Sequence, residues 1–248
     1  MQFKDYFSAQ ADTYAKYRPK YPEEMFAFLS SLCPEHELAW DCATGNGQAA
    51  NSLVNYFNKV IATDASDKQL SNAKPHEKIE YRLALAEDSS ITPGSVDLVT
   101  VAAAVHWFDF DKFYKEVNRV LKPKGVIAVW TYNDALINDK VNIAMEKLHR
   151  DILGSYWPKE SRVVMNRYKD LPFPFERTTT PKFSYESKMD LNMLEGYLLT
   201  WSASQRYIND KGKNPVDEIR DELTAAWGNA NEVKKVVWEL TLIVGRKK

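Results

Sequence analysis

The sequence predicts an α/β fold built on a parallel, doubly wound sheet, and three observations carry that expectation. The stretch Leu38-Ala-Trp-Asp-Cys-Ala-Thr-Gly-Asn-Gly-Gln-Ala-Ala50 runs from a short apolar strand into two glycines one residue apart. A helical pattern follows, with Leu53, Val54 and Phe57 on one face. About twenty residues on, Val60-Ile-Ala-Thr-Asp64 reads as a second strand ending in a carboxylate. Further along, Val96–Val105 and Val126–Trp130 are continuous apolar runs of the kind buried on both faces of a parallel sheet, separated by helix-compatible sequence.

Strand, tight glycine turn and helix together open a nucleotide-binding βαβ unit, where glycine lets the backbone turn sharply and a ligand approach closely. Gly45-x-Gly47-x-x-Ala50 also satisfies the dinucleotide fingerprint, so an NAD(P)-dependent oxidoreductase has to be weighed. Asp41 decides between the two. A carboxylate at the end of the first strand would repel a pyrophosphate, but it suits a ligand carrying an ammonium group. S-adenosylmethionine has an amino group, a cationic sulfonium and no phosphate, and is the expected cofactor. Asp64 is placed for the hydroxyls of its ribose.

Composition sets the outer bounds. A chain of 248 residues fits one large domain, or a core with a small cap. With 27% charged and 44% hydrophobic residues and a net charge of -1, nothing calls for nucleic acid or an anionic membrane as partner. Two cysteines, Cys33 and Cys42, make a disulfide framework unexpected and a cytoplasmic setting the natural one. The N-terminus lacks the apolar core of a signal peptide, and no run reaches membrane-spanning length. Four histidines (His36, His76, His106 and His149) show no ligand spacing, so no metal is expected.

In chain order, an aromatic and basic leader comes first, with a helix expected over residues 8–17 and stopped by Pro19. Tyr6, Tyr14, Tyr17, Arg18 and Tyr21 fit either an edge-covering helix or a lid that stacks on a polar ligand and excludes water. A helix runs from Pro22 to Cys33, and a Ser-capped one from Ser66 to Asn72. Glu80–Leu85 reads as the third strand, followed by Ala86-Glu87, where the acid suits either an adenine amino group or a solvated loop. The fourth strand runs into His106-Trp107-Phe108-Asp109. His106 can be a base, a hydrogen-bond partner of the substrate, or a structural histidine. Asp109 or Asp111 caps a helix over Phe113–Leu121, and Lys122-Pro-Lys-Gly125 turns the chain into the fifth strand.

The second half is less regular. A helix is expected over Asn138–Leu153, then a proline-broken stretch with strand-forming segments at Phe175–Thr180 and Lys182–Ser187. Helical spacing returns over Leu191–Trp201 and continues to Tyr207. Pro215–Trp227 is amphipathic with Gly228 as C-cap, and Val233–Val244 supplies the last strand. Tyr197, Trp201, Ser202, Arg206 and Tyr207 offer aromatic walls and one cation, either as a substrate site or as packing with a surface arginine.

Several stretches together resemble the class I S-adenosylmethionine-dependent methyltransferases. They are Phe7-x-x-Gln10-Ala11-x-x-Tyr14, Tyr17-Arg18-Pro19-x-Tyr21-Pro22, the Asp41–Gly47 loop, Asp64, Ala104-x-His106-Trp107-Phe108-Asp109 and Leu121-Lys-Pro-x-Gly125. More narrowly, they are similar to the small-molecule branch that includes the trans-aconitate methyltransferases. One departure stands at Ala43, where that family has the first glycine of its loop.

The resemblance implies a Rossmann-like, seven-stranded, mostly parallel sheet whose last strand is antiparallel and inserted beside the fifth. It implies one domain over 1–248, with a lid over 1–22, a cofactor core over 23–135 plus the C-terminal strands, and a helical substrate cap within 136–230. Around S-adenosylmethionine, and its product S-adenosylhomocysteine, it places Tyr14, Arg18, Asp41, Ala43, Gly45, Gly47, Asp64, Ala86, Glu87 and His106. On the substrate side stand His106, with Trp201 and Arg206 of the cap, and a small-molecule acceptor such as the carboxylate oxygen of a trans-aconitate-like acid. The alternatives are a quinone precursor, phenol, amine or sterol-like carbon as acceptor, or an S-adenosylmethionine-binding module without turnover.

Overall fold

Along each central strand, apolar side chains alternate between two helical layers. The computed structural model describes residues 17–248. Five parallel strands form the body of the sheet: β1 (Leu38–Cys42), β2 (Lys59–Asp64), β3 (Ile79–Leu83), β4 (Val96–Ala102) and β5 (Leu121–Tyr132). Two short strands follow, β6 (Glu176–Thr178) and β7 (Ser184–Met189), and then the long β8 (Lys234–Arg246), which runs antiparallel to β5. The order is β3-β2-β1-β4-β5-β8-β6, with β7 also paired to β8.

On one face, Ala39, Val60, Ala62, Leu98, Ala128 and Trp130 pack against α1 (Glu23–Ser31) and α2 (Gln48–Leu53) through Met25, Phe26, Leu29, Ala50 and Leu53. On the other, Trp40, Cys42, Ile61, Val99, Val101, Ile127 and Val129 meet Phe113, Val117 and Val120. The period-two switch between these two sets is what a sheet covered on both sides requires.

The remaining helices are α3 (Asp67–Ser71), α4 (Phe110–Val120), α5 (Asp139–Lys147), α6 (Ser161–Met165), α7 (Leu191–Leu199), α8 (Ser202–Lys211) and α9 (Arg220–Trp227). α5, α7 and α9 close over a second apolar cluster that joins Leu148, Leu194, Tyr197, Leu198, Leu223 and Trp227 to Val236 and Trp238 of β8. This helical cluster and the sheet therefore share the last strand.

Most elements fall where the sequence places them, and the differences have local causes. α4 begins at Phe110 because Asp109 is its N-cap, its carboxylate accepting the Lys112 N–H. The helix expected over Asn138–Leu153 changes pitch, with α5 giving way to a π-helical turn over Leu148–Ile152. Pro215–Trp227 divides into a 3-10 turn over Pro215–Ile219 and α9. Eight strands form among the described residues rather than seven, because β6 and β7 pair with different parts of the 13-residue β8. The helix expected over residues 8–17 lies outside the described residues except for its last residue, as does Tyr14 entirely. Among the described residues no helix is long and apolar enough to cross a membrane.

Candidate active site

The sheet order reverses between β1 and β4, and a cavity of about 480 Å³ opens there, at the carboxyl ends of the strands. Its walls come from the loop after β1 (Ala43 to Asn46), the start of α2, the ends of β2 and β4, the segment after β3 (Ala84 to Glu87) and the Trp107–Asp109 stretch. Short side chains make the space: Ala43, Ala49, Ala65, Ala84, Ala86 and Ala102 to Ala104 all face it.

The loop after β1 is held by hydrogen bonds at both ends. The Thr44 N–H donates to the Thr63 carbonyl at 2.9 Å, and the Gly45 N–H donates to Asp64 Oδ2 at 2.8 Å. Asp64 Oδ1 accepts the Ser66 N–H at 2.9 Å, so one carboxylate secures two backbone segments that line the cavity. Gly45 and Gly47 have left-handed backbone, with φ of 58° and 85°. A Cβ at Gly47 would push against the Tyr81 hydroxyl, so space as well as conformation favours glycine there. Ala43 and Ala103 adopt left-handed backbone too, at φ 54° and 51°. These alanines flank the switch point from opposite sides, each in a conformation where a Cβ is strained.

Asp41 does not line the cavity. It lies beneath the loop, 1% exposed, on the face of β1 that meets α2. Its carboxylate accepts the Thr44 hydroxyl at 2.5 Å, the Thr100 hydroxyl at 2.8 Å and the Ala50 N–H at 3.1 Å. Burial outweighs these three donors and raises its pKa to about 6. Glu87 lines the cavity and has a second engagement, as its Oε1 accepts the Asp109 N–H at 2.9 Å at the start of α4.

His106 sits in a one-turn 3-10 helix (Val105–Trp107) directly after β4, its ring 4.8 Å from that of Trp107. Its Nδ1 is buried and finds no hydrogen-bond partner among the described residues. Burial pushes its pKa down to about 4, so the imidazole is neutral at physiological pH. Arg18 donates to the Tyr132 hydroxyl at the end of β5 and, at 2.9 Å, to the Thr200 carbonyl in the cap. Its guanidinium lies 5.5 Å and 5.7 Å from the ring centroids of Tyr132 and Tyr197.

Of the expected site residues, Ala43, Gly45, Asp64, Ala86 and Glu87 come together on the cavity wall. Gly47 caps α2 beside it. Trp201 is buried in the cap, edge-on to His149 and Tyr197, and Arg206 is half-buried on α8; neither reaches this cavity. The wall also includes Lys112 and Glu160, which the sequence does not single out. Glu160 follows Pro158 in an irregular stretch and carries no motif; it reaches the cavity because α6 packs beside the turn that holds His106.

The charge on this wall selects its ligand. Asp64, Glu87, Asp109 and Glu160 face the space with Lys112, and Lys112 lies 3.2 Å from Asp109 in an ion pair. Such a wall fits an adenosyl ligand bearing a sulfonium and an ammonium group, and opposes a pyrophosphate.

Comparison with known proteins agrees with this geometry. A methyltransferase domain profile matches residues 40–129. A Dictyostelium discoideum protein named as a methyltransferase is 34% identical over 240 residues, covering 95% of this chain and 91% of its own. A Saccharomyces cerevisiae protein named as an S-adenosylmethionine-dependent methyltransferase is 25% identical over 241 residues, with 82% of each chain covered. A solved structure from Anaeromyxobacter dehalogenans, described as a type II methyltransferase, aligns with a TM-score of 0.86 at 36% identity, covering 92% of this chain and 97% of that one.

Proposed function

This chain belongs to the S-adenosylmethionine-dependent methyltransferases, and from that premise we propose that its acceptor is a carboxylate oxygen of a small acidic molecule, as in the trans-aconitate methyltransferases. When bound, the cofactor supplies a methyl group on a cationic sulfur, which is a good leaving group. Asp64 would hold the ribose, Ala86 and Glu87 would face the adenine, and Ala43, Gly45 and Gly47 would border the methionine end.

The observation that carries the reading is the buried Nδ1 of His106, beside Trp107, which lacks a hydrogen-bond partner among the described residues that could orient the ring as a base. With its pKa lowered to about 4, this imidazole is a poor match for removing a proton from a phenol or carbon acid near neutral pH. An ionised carboxylate needs no such help, because it is already a nucleophile. The protein's part is then alignment and exclusion of water. Arg18, tied at the junction of β5 and the cap to the Tyr132 hydroxyl and the Thr200 carbonyl, would have to exchange one of these bonds to meet an acidic acceptor, for which a guanidinium fork is suited. Trp201 and Arg206, which do not line the cavity, would act on the acceptor only through the packing of the cap.

A second reading has its own support. Glu160 and Asp109 on the wall would draw a cationic amine, which would have to lose a proton before attacking the methyl group. Product chemistry separates the two. The protein is supplied with methyl-labelled S-adenosylmethionine and separate panels of small carboxylic acids and amines. A carboxyl methyl ester releases labelled methanol in mild alkali, whereas an N-methyl product keeps its label. Alkali-stable label recovered only from the amine panel would overturn the carboxylate reading.

A further inference from the structure

The loop that borders the cofactor is fastened to the strand leading to His106 through a single buried carboxylate. Asp41 of β1 and Thr100 of β4 are paired directly in the parallel register, so their side chains stand together on one face of the sheet. The other neighbour of Asp41 is Ala62 on β2, and the other neighbour of Thr100 is Ala128 on β5. Small residues on both sides leave room for this polar pair inside the layer that α2 covers. Thr100 Oγ1 donates to Asp41 Oδ1 at 2.8 Å, while Thr44 Oγ1 at 2.5 Å and the Ala50 N–H at 3.1 Å donate to Oδ2. Thr44 in turn lines the cavity. Three donors from a strand, a loop and a helix thus converge on one carboxylate that no ligand needs to touch.

We propose that Thr100 is a positioning residue for cofactor binding, which with Thr44 clamps the Asp41 carboxylate between β4 and the glycine loop. The clamp sets the distance between the loop, where the methionine end of the cofactor belongs, and the turn after β4 that carries His106. It acts through geometry, and it holds whichever acceptor the enzyme uses. All three donors point at Asp41, so the clamp is complete only when the carboxylate is ionised. A proton on Oδ1 would release the Thr100 hydroxyl toward the Trp40 carbonyl and so part the loop from β4, and one on Oδ2 would oppose the Thr44 and Ala50 donors.

Among the described residues, the charged and titratable groups around Asp41 are few. Asp64 at the end of β2 and the Tyr81 hydroxyl of β3 lie near enough to interact with it, and the Cys42 thiol, next to it on β1, also senses Asp64 and Glu87. α2 carries no charged residue, and the one acid of β4, Asp97, is at the opposite end of the strand, paired with Lys122 at 2.7 Å. Burial, and more weakly Asp64, opposes ionisation of Asp41, while the two threonines and the Ala50 N–H favour it, so cofactor binding should weaken as pH falls through about 6.

The test uses the full chain, S-adenosylhomocysteine as probe, and titration calorimetry from pH 5 to 8. Thr100→Val keeps the shape and removes the hydroxyl; it should weaken binding about tenfold at neutral pH and move the acid midpoint upward, since it deletes a donor to a charged group. Thr100→Ser should restore both quantities, and Thr44→Val should repeat the effect from the loop side. Wild-type affinity together with a wild-type midpoint in T100V overturns the proposal. Should T100V not fold, Thr100→Ala is judged by the same two readouts. A loss of melting temperature with no change in midpoint would assign Thr100 to packing alone, and that also overturns it.

Discussion

Asp64 Oδ2 accepts the Gly45 N–H at 2.8 Å, so the acid that ends β2 fixes the glycine loop that follows β1. Its other oxygen secures the Ser66 N–H at the cap of α3. A carboxylate with these two tasks cannot be replaced by a side chain that merely fills the space. Asp64→Ala should weaken S-adenosylhomocysteine binding by about 1–3 kcal/mol, the range for a lost hydrogen bond to a charged group. Calorimetric titration checks it, and unchanged affinity would remove Asp64 from the cofactor site.

The two left-handed alanines give a prediction of opposite sign. At Ala43 and Ala103 the backbone φ is 54° and 51°, a region where a Cβ crowds the following carbonyl at a cost of about 1–2 kcal/mol. Glycine relieves that strain but loosens the unfolded chain by about 0.4–1 kcal/mol. Ala43→Gly, which restores the glycine expected of the family loop, should therefore raise stability by up to about 1 kcal/mol and leave cofactor affinity close to wild type. Thermal unfolding should show a melting temperature a few degrees higher; a lower one would mean that the methyl group of Ala43 packs usefully.

Much of this was legible in sequence, for a physical reason. Strands buried on both faces must be apolar throughout, so β4 and β5 announce themselves, and the glycines mark a turn that only they can make. Asp41 stands out in the sequence as the decisive acid, yet its position beneath the loop is not readable there. Whether a carboxylate at a strand end points into the crevice or under it depends on the register that pairs it with Thr100, a residue 59 positions away. Glu160 was hidden for a similar reason, since it enters the cavity wall by tertiary packing from a stretch without periodicity. The second half of the chain blurred where the helix changed pitch at Leu148, which repeats of 3.6 residues do not foresee.

Asp41 also carries a pH prediction about folding itself. Its folded pKa, about 6, lies above the ordinary 3.8, so the folded state holds this proton more tightly than the unfolded chain does. The group's contribution is most favourable below the unfolded value and declines as pH rises from there through about 6. The full difference, roughly two pKa units, corresponds to about 3 kcal/mol. Asp41→Asn does not ionise, and its amide can keep an oxygen toward Thr44 and Ala50 while the Thr100 hydroxyl turns to the Trp40 carbonyl 3.4 Å away. Denaturant titrations of both proteins should therefore show the stability of the variant gaining on wild type between pH 4 and 6.5. At neutral pH the same variant should bind S-adenosylhomocysteine more weakly. A stability gap that stays constant with pH would show that Asp41 is not protonated in this range.

Gly196 and Tyr17 supply the last prediction. A Cβ at Gly196, in the middle of α7, would come within 2.7 Å of the Tyr17 ring, so the cap accepts that ring only because the position is glycine. Tyr17 immediately precedes Arg18, which donates to the Thr200 carbonyl and the Tyr132 hydroxyl. Gly196→Ala should therefore displace the aromatic ring and disturb the Arg18 tie between cap and sheet. The helix itself should gain, because alanine is favoured over glycine in a helix interior by roughly 1 kcal/mol. The expected result is a fall in turnover with little loss of melting temperature, which separates a displaced contact from a damaged fold. Removing the obstructing ring tests the cause directly. In Tyr17→Ala/Gly196→Ala the second substitution should be better tolerated than in the wild-type background, with a coupling of about 0.5–3 kcal/mol in a double-mutant cycle on unfolding free energy. Strict additivity would mean that the ring does not rest on Gly196 in solution.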